Sequence, residues 1–231
     1  MAYSMRRPGL ALWGAWLGAG VVGSLLPVLP AALNLRFPIV ADLRLDDAYG
    51  LRSAAVGATC LALFQTIVLG VLKVRFTASV LMWIPVSTGA TVVAYLAIAL
   101  GQVTVPRAVI SVSAIQASLP PSFPLLQVIF ALSGVAVAVV VGVAQGILLA
   151  RVFRRRSALG VWLVANLVAA VLVGIVFGIR LQEPVTGSDA DLTAIFLSTT
   201  LIDGALYAAV TGAALVAFAR RRTEVSARDQ A

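Results

Sequence analysis

Asp203 is the single charged residue between positions 192 and 219, and its polar neighbours repeat at helical spacing: Thr199 and Thr200 one turn before it, Tyr207 one turn after, Thr211 two turns after. At 3.6 residues per turn these side chains share one side of a helix, so a polar stripe crosses an apolar segment. A carboxylate at bilayer depth costs about 2.5 to 3.5 kcal/mol on insertion scales, and such a stripe must face protein or water. Two roles fit. Asp203, Thr200, Tyr207 and Thr211 could line a solute or ion site, with Gln145 or Asn166 nearby. Alternatively, Asp203 could latch its helix to a neighbour, with Tyr207 or Asn166 as partner. Gln65, Gln145 and Asn166 are the other strongly polar side chains inside apolar runs, and hydrogen bonds between helices are their ordinary use.

Other chemistry is thinly supplied. The chain has no histidine, which removes haem ligation through imidazole, paired-histidine zinc sites and nucleophile–histidine catalysis. Its one lysine, Lys73, sits at a helix end where it can reach water. The one cysteine, Cys60, can form neither an intramolecular disulfide nor a thiolate cluster. Asp42, Asp46 and Asp47 lack the spacing of a calcium loop and have Arg44 among them, so helix capping suits Asp46 or Asp47 better. No phosphate-binding or metalloprotease motif is present. The sequence therefore points to a protein that is not an enzyme and carries no cofactor or metal.

Five stretches, 8–35, 53–72, 76–106, 108–150 and 157–179, hold no charge at all. A helix needs about 20 mainly apolar residues to cross a bilayer core. With 61% hydrophobic and 11% charged residues, the chain cannot cover a water-soluble globule. The expected fold is an all-α integral membrane protein, a single domain over 1–231 with six transmembrane helices at about 8–28, 53–72, 76–100, 124–150, 158–179 and 193–219. Residues 29–52 form an outer loop, 103–123 an outer loop or interfacial helix, and 220–231 a frayed polar tail. Helix 1 reads as uncleaved, although small residues near Pro30 leave cleavage open.

The net charge of +8 marks topology and not nucleic acid, because the basic residues sit at the ends of apolar runs. Arg6, Arg7, Lys73, Arg75, Arg151, Arg154, Arg155, Arg156, Arg220, Arg221, Arg222 and Arg228 fall on one side, leaving Arg36, Arg44, Arg52, Arg107 and Arg180 on the other. The positive-inside rule puts both termini in the cytoplasm of a multi-pass cell-membrane protein. Trp13, Trp16, Trp83 and Trp162 all lie near the basic side, as a belt of interfacial anchors would.

Weak repetition runs through the helices. Trp83 follows Gln65, and Trp162 follows Gln145, across a basic turn; Thr211-Gly212 aligns with Gln145-Gly146, and helix 1 offers Trp13 as the matching tryptophan. The pattern suggests repeated helix hairpins. Gly14/Gly18, Gly142/Gly146 and Gly174/Gly178 are GxxxG pairs, and Ala208/Gly212 is a small-residue variant. Such faces let helix backbones approach within the bundle or against another subunit. In outline the C-terminal half resembles small bacterial membrane proteins with glycine-rich hairpins. The six spans with a long loop after the first are similar in layout to the substrate-binding subunits of vitamin transporters, at the level of fold alone. The leading expectation is a transport or solute-binding component; the alternative is an accessory or anchoring subunit of a larger membrane complex.

Overall fold

The computed structural model describes residues 9–28, 47–71, 78–104, 125–180 and 189–228. They form six principal helices: α1 (Leu10–Leu25), α2 (Asp47–Val71), α3 (Trp83–Thr104), α4 (Leu125–Phe153), α5 (Ser157–Arg180) and α6 (Asp189–Arg228). No strand occurs among the described residues. Of the expected outer segments 29–52 and 103–123, residues 47–52 and 103–104 are helical, the ends of α2 and α3; the remainder of both, and the basic turn around Lys73, lie outside the described residues.

Local chemistry explains where the boundaries depart from expectation. The third apolar run does not begin one continuous helix near position 76; a single turn, Ala78–Leu81, is separated from α3 at Met82. Pro85 has no N–H to give to the Leu81 carbonyl, so the helix restarts with Val86 N–H donating to Met82 at 3.1 Å. Asp47 opens α2, whereas Asp46 lies outside the described residues. Helix α6 continues to Arg228, through the part of the polar C-terminal segment that is described.

Between α4 and α5 the chain reverses in three residues. Arg155 N–H donates to Ala150 O at 3.0 Å and Arg154 N–H to Arg151 O at 3.3 Å, the two bonds of a Schellman closure. Arg154 holds φ 52 in the left-handed region, where glycine is the usual residue. An arginine kept there despite that preference concentrates positive charge in this turn.

The helices close into a ring in chain order, α1 through α6, and α6 packs back on α1. Their faces are inverted relative to a soluble protein. Gln65, Gln145, Asn166 and Thr211 are buried, while leucines, valines and isoleucines point outward; Trp162 is 0% exposed and Val164, two residues on, 59%. Ala131–Phe153, Ser157–Arg180 and Leu197–Arg220 are long and apolar enough to cross a membrane, and Leu10–Leu25, Ala54–Gly70 and Trp83–Ala97 are shorter apolar helices. These features mark a multi-pass α-helical membrane protein.

Glycines set the closest approaches. A Cβ on Gly20 would overlap that of Ala208, and one on Gly146 would lie 2.7 Å from Leu159 Cδ1. Gly142 similarly faces Asn166 and Leu163, and Gly212 faces Trp16 and Trp13. The Gly142/Gly146 and Ala208/Gly212 faces therefore join helices of this chain. Gly14 and Gly18 differ: a Cβ at either meets nothing within 4 Å. Gly174 and Gly178 are buried on α5.

Candidate functional site: three buried tryptophans and a neighbouring cavity

Three indoles meet at the ring's axis. Trp16 of α1, Trp83 of α3 and Trp162 of α5 come from alternate helices and are almost wholly buried. Trp16–Trp83, Trp16–Trp162 and Trp83–Trp162 centroids are 6.2, 6.1 and 5.8 Å apart with interplanar angles of 73°, 82° and 72°. Edge-to-face pairs of this kind contribute about 0.5 to 1.5 kcal/mol each beyond their burial.

A buried indole N–H needs an acceptor, and the intervening helices supply one each. Trp16 Nε1 donates to Thr211 Oγ1 of α6 at 3.0 Å, Trp83 Nε1 to Gln65 Oε1 of α2 at 2.9 Å, and Trp162 Nε1 to Gln145 Oε1 of α4 at 3.1 Å. The three indoles are thus not interfacial anchors facing lipid. They share one depth because they touch one another, and their donors are satisfied inside the ring. Trp16, and not Trp13, is the counterpart of Trp83 and Trp162. Trp13 is half-buried and donates to Ala209 O at 3.0 Å.

Because an indole can only donate, it fixes both glutamine amides. Gln145 turns its Nε2 to Ser87 Oγ at 2.9 Å. Gln65 is left with a buried Nε2 that has no hydrogen-bond partner. Asn166 Nδ2 donates to Trp162 O at 2.9 Å, and its Oδ1 accepts from Tyr207 Oη at 2.8 Å. Thr211 Oγ1 in turn donates to Tyr207 O at 2.8 Å. These bonds join Trp16, Thr211, Tyr207, Asn166, Trp162, Gln145 and Ser87 in one polar chain, while Gln65 and Trp83 form a separate pair between α2 and α3.

Beyond the indoles, away from the Arg154 turn, lies a cavity of about 660 Å³ reached by all six helices. Alanines, valines, glycines and Phe177 form much of its wall, and Gln65, Ser87, Gln145, Asn166, Asp203 and Tyr207 bring polar groups to it. Of the six residues singled out from sequence, Asp203, Thr200, Tyr207, Gln145 and Asn166 line this cavity. Thr211 does not; it is spent on Trp16 and the Tyr207 carbonyl. The bond tying α6 to α5 is Tyr207 to Asn166, while Asp203 Oδ1 is buried without a partner.

Sequence reasoning passed over Ser87 and treated Gln65 only as helix glue. A signal existed: Ser87 stands four residues after Trp83, as Asn166 does after Trp162. The same register runs up the wall. Positions 54, 134 and 200 are equivalent, as are 58, 138 and 204, and 61, 141 and 207, and every one of them lines the cavity. Asp203 breaks this threefold frame, since its counterparts are Gly57 and Val137.

Among the described residues, no three His, Cys, Asp or Glu side chains gather where they could hold a metal ion. None of the described residues lining the cavity is basic. The arrangement offers a carboxylate, amide and hydroxyl groups, and apolar walls, which is the composition of a binding site for a small molecule. No family model matches the chain, and neither curated proteins nor solved structures yield a match.

Proposed function

We propose that this protein is a transport or solute-binding component of the cell membrane, with its site in the cavity that Asp203 lines. One observation supports the reading above others. A cavity of about 660 Å³ within the helix ring is lined by Gln65 and Asp203, whose Nε2 and Oδ1 are buried without partners. Polar groups left unpaired in a low-dielectric interior cost about 1 to 3 kcal/mol each, and a solute that pairs with them recovers that cost. The volume lies in the range of about 300 to 1,000 Å³ typical of small-molecule sites. In this proposal all six helices span the bilayer, because the shorter three share one ring with the longer three, and the arginine turn faces the cytoplasm. Thr200 and Tyr207 accompany Asp203 in the site, with Gln145 and Asn166 also lining it.

The test compares cells expressing wild-type protein or Asp203→Asn, with accumulated solutes profiled by mass spectrometry. At least one solute should accumulate with the wild type and not with the variant. Identical profiles, with the variant still inserted, would overturn the proposal.

A second reading, a subunit of a larger membrane complex, draws support from the outward-facing Gly14/Gly18 pair, where a Cβ would meet nothing within 4 Å. Mild extraction yielding only a monodisperse monomer would count against it.

A further inference from the structure

We propose that the solute class taken by this cavity is an organic monocation: an ammonium group or protonated ring nitrogen on an apolar body that also carries a hydrogen-bond acceptor. The inference rests on the solute-binding reading above and adds the chemistry of the solute to it.

Charge is the first argument. Asp203 puts a carboxylate on the wall, no described basic residue lines the cavity, and Oδ1 is buried without a hydrogen-bond partner. An anionic solute would meet an unscreened like charge at low dielectric, and a neutral one would leave the carboxylate uncompensated. A cation does neither. The ring of helices repeats its geometry three times, and only one unit carries the carboxylate, with Gly57 and Val137 at the corresponding places. A single charge on one side of a threefold frame suits one cationic group and orients it.

Size separates an organic cation from a bare ion. An inorganic cation needs several oxygen ligands closing on it within about 2.0 to 2.6 Å. Here the cavity measures about 660 Å³, and much of its wall is alanine, valine and glycine. Such walls match an apolar body. Gln65 supplies the remaining feature. It lines the cavity, is 1% exposed, has its Oε1 held by Trp83 Nε1, and keeps a buried Nε2 with hydrogen atoms and no partner. A free donor on a lining residue calls for an acceptor on the solute, such as an ether, carbonyl or ring nitrogen. Asp203 and Gln65 thus read opposite ends of one molecule.

The experiment uses the full-length protein in lipid nanodiscs and a panel of primary, secondary and tertiary arylalkyl ammonium ions that carry an ether or carbonyl oxygen. Each is paired with its neutral alcohol and its carboxylate isostere, and binding is followed by titration calorimetry. At least one ammonium should bind saturably and about 10- to 100-fold more tightly than its alcohol, the range expected of a desolvated charge-assisted hydrogen bond. Asp203→Asn should abolish that preference while leaving alcohol binding within about threefold. Removing the ether or carbonyl acceptor from the best probe should weaken it about 5- to 10-fold in the wild type. If alcohols or carboxylates bind as tightly as the ammonium ions, or if the preference survives Asp203→Asn, the cation class is wrong and solute binding stands. If no member of the three series binds protein with wild-type emission and a single elution peak, both the class and the solute-binding reading fall.

Discussion

Trp16 Nε1 donates to Thr211 Oγ1 at 3.0 Å, joining residues 195 positions apart and the first helix to the last. It is the counterpart of Trp83 on Gln65 and Trp162 on Gln145. Helices α6 and α1 therefore make, from remote parts of the sequence, the same unit that α2–α3 and α4–α5 make locally.

Removing the acceptor tests this bond. Thr211→Val should orphan a buried indole N–H and lower stability by about 1 to 2 kcal/mol, measured by unfolding in mixed micelles. In a double-mutant cycle with Trp16→Phe, the combined loss should fall short of the sum of the single losses. Strict additivity would mean that the two side chains do not act together.

Leucine scanning along α1 should separate two glycine faces. Gly20→Leu drives a side chain into Ala208 and toward Gly204 O, so it should separate α1 from α6 and cost more than about 3 kcal/mol, seen as lost monodispersity. Gly18→Leu enters open space and should change the unfolding midpoint by no more than about 0.5 kcal/mol equivalent. Equal sensitivity at both positions would contradict the packing described.

Much of the bundle is legible in the residues because apolar run length and proline position act locally. The core was harder to read. Tryptophans near basic turns have the spacing of interfacial anchors, and sequence position says how deep an indole sits without saying which side of the helix it occupies. Trp13 and Trp16 are less than one turn apart, yet only Trp16 turns fully inward. Gln65 was visible as a polar residue in a span. Its free Nε2 was not, because that depends on Trp83 claiming the amide oxygen from another helix.

The α4–α5 turn carries a conformational cost. Arg154 at φ 52 should be relieved by Arg154→Gly, which is expected to stabilise the folded protein by about 1 kcal/mol in thermal unfolding. A destabilisation would show that the Arg154 side chain contributes more than the backbone conformation costs.

The positive-inside orientation makes a labelling prediction. Ser157 is exposed beside the arginine turn. In a Cys60→Ala background, Ser157→Cys should react with a membrane-impermeant maleimide only after the cells are permeabilised. Labelling of intact cells would invert the proposed topology.

Native mass spectrometry of the full-length protein released from its own membranes tests the cavity most directly. Wild type should retain a small-molecule adduct that is lost both on Asp203→Asn and on Ala138→Phe, which fills the cavity from a buried wall position. Three indistinguishable spectra, from variants that remain folded, would contradict a solute site in this bundle.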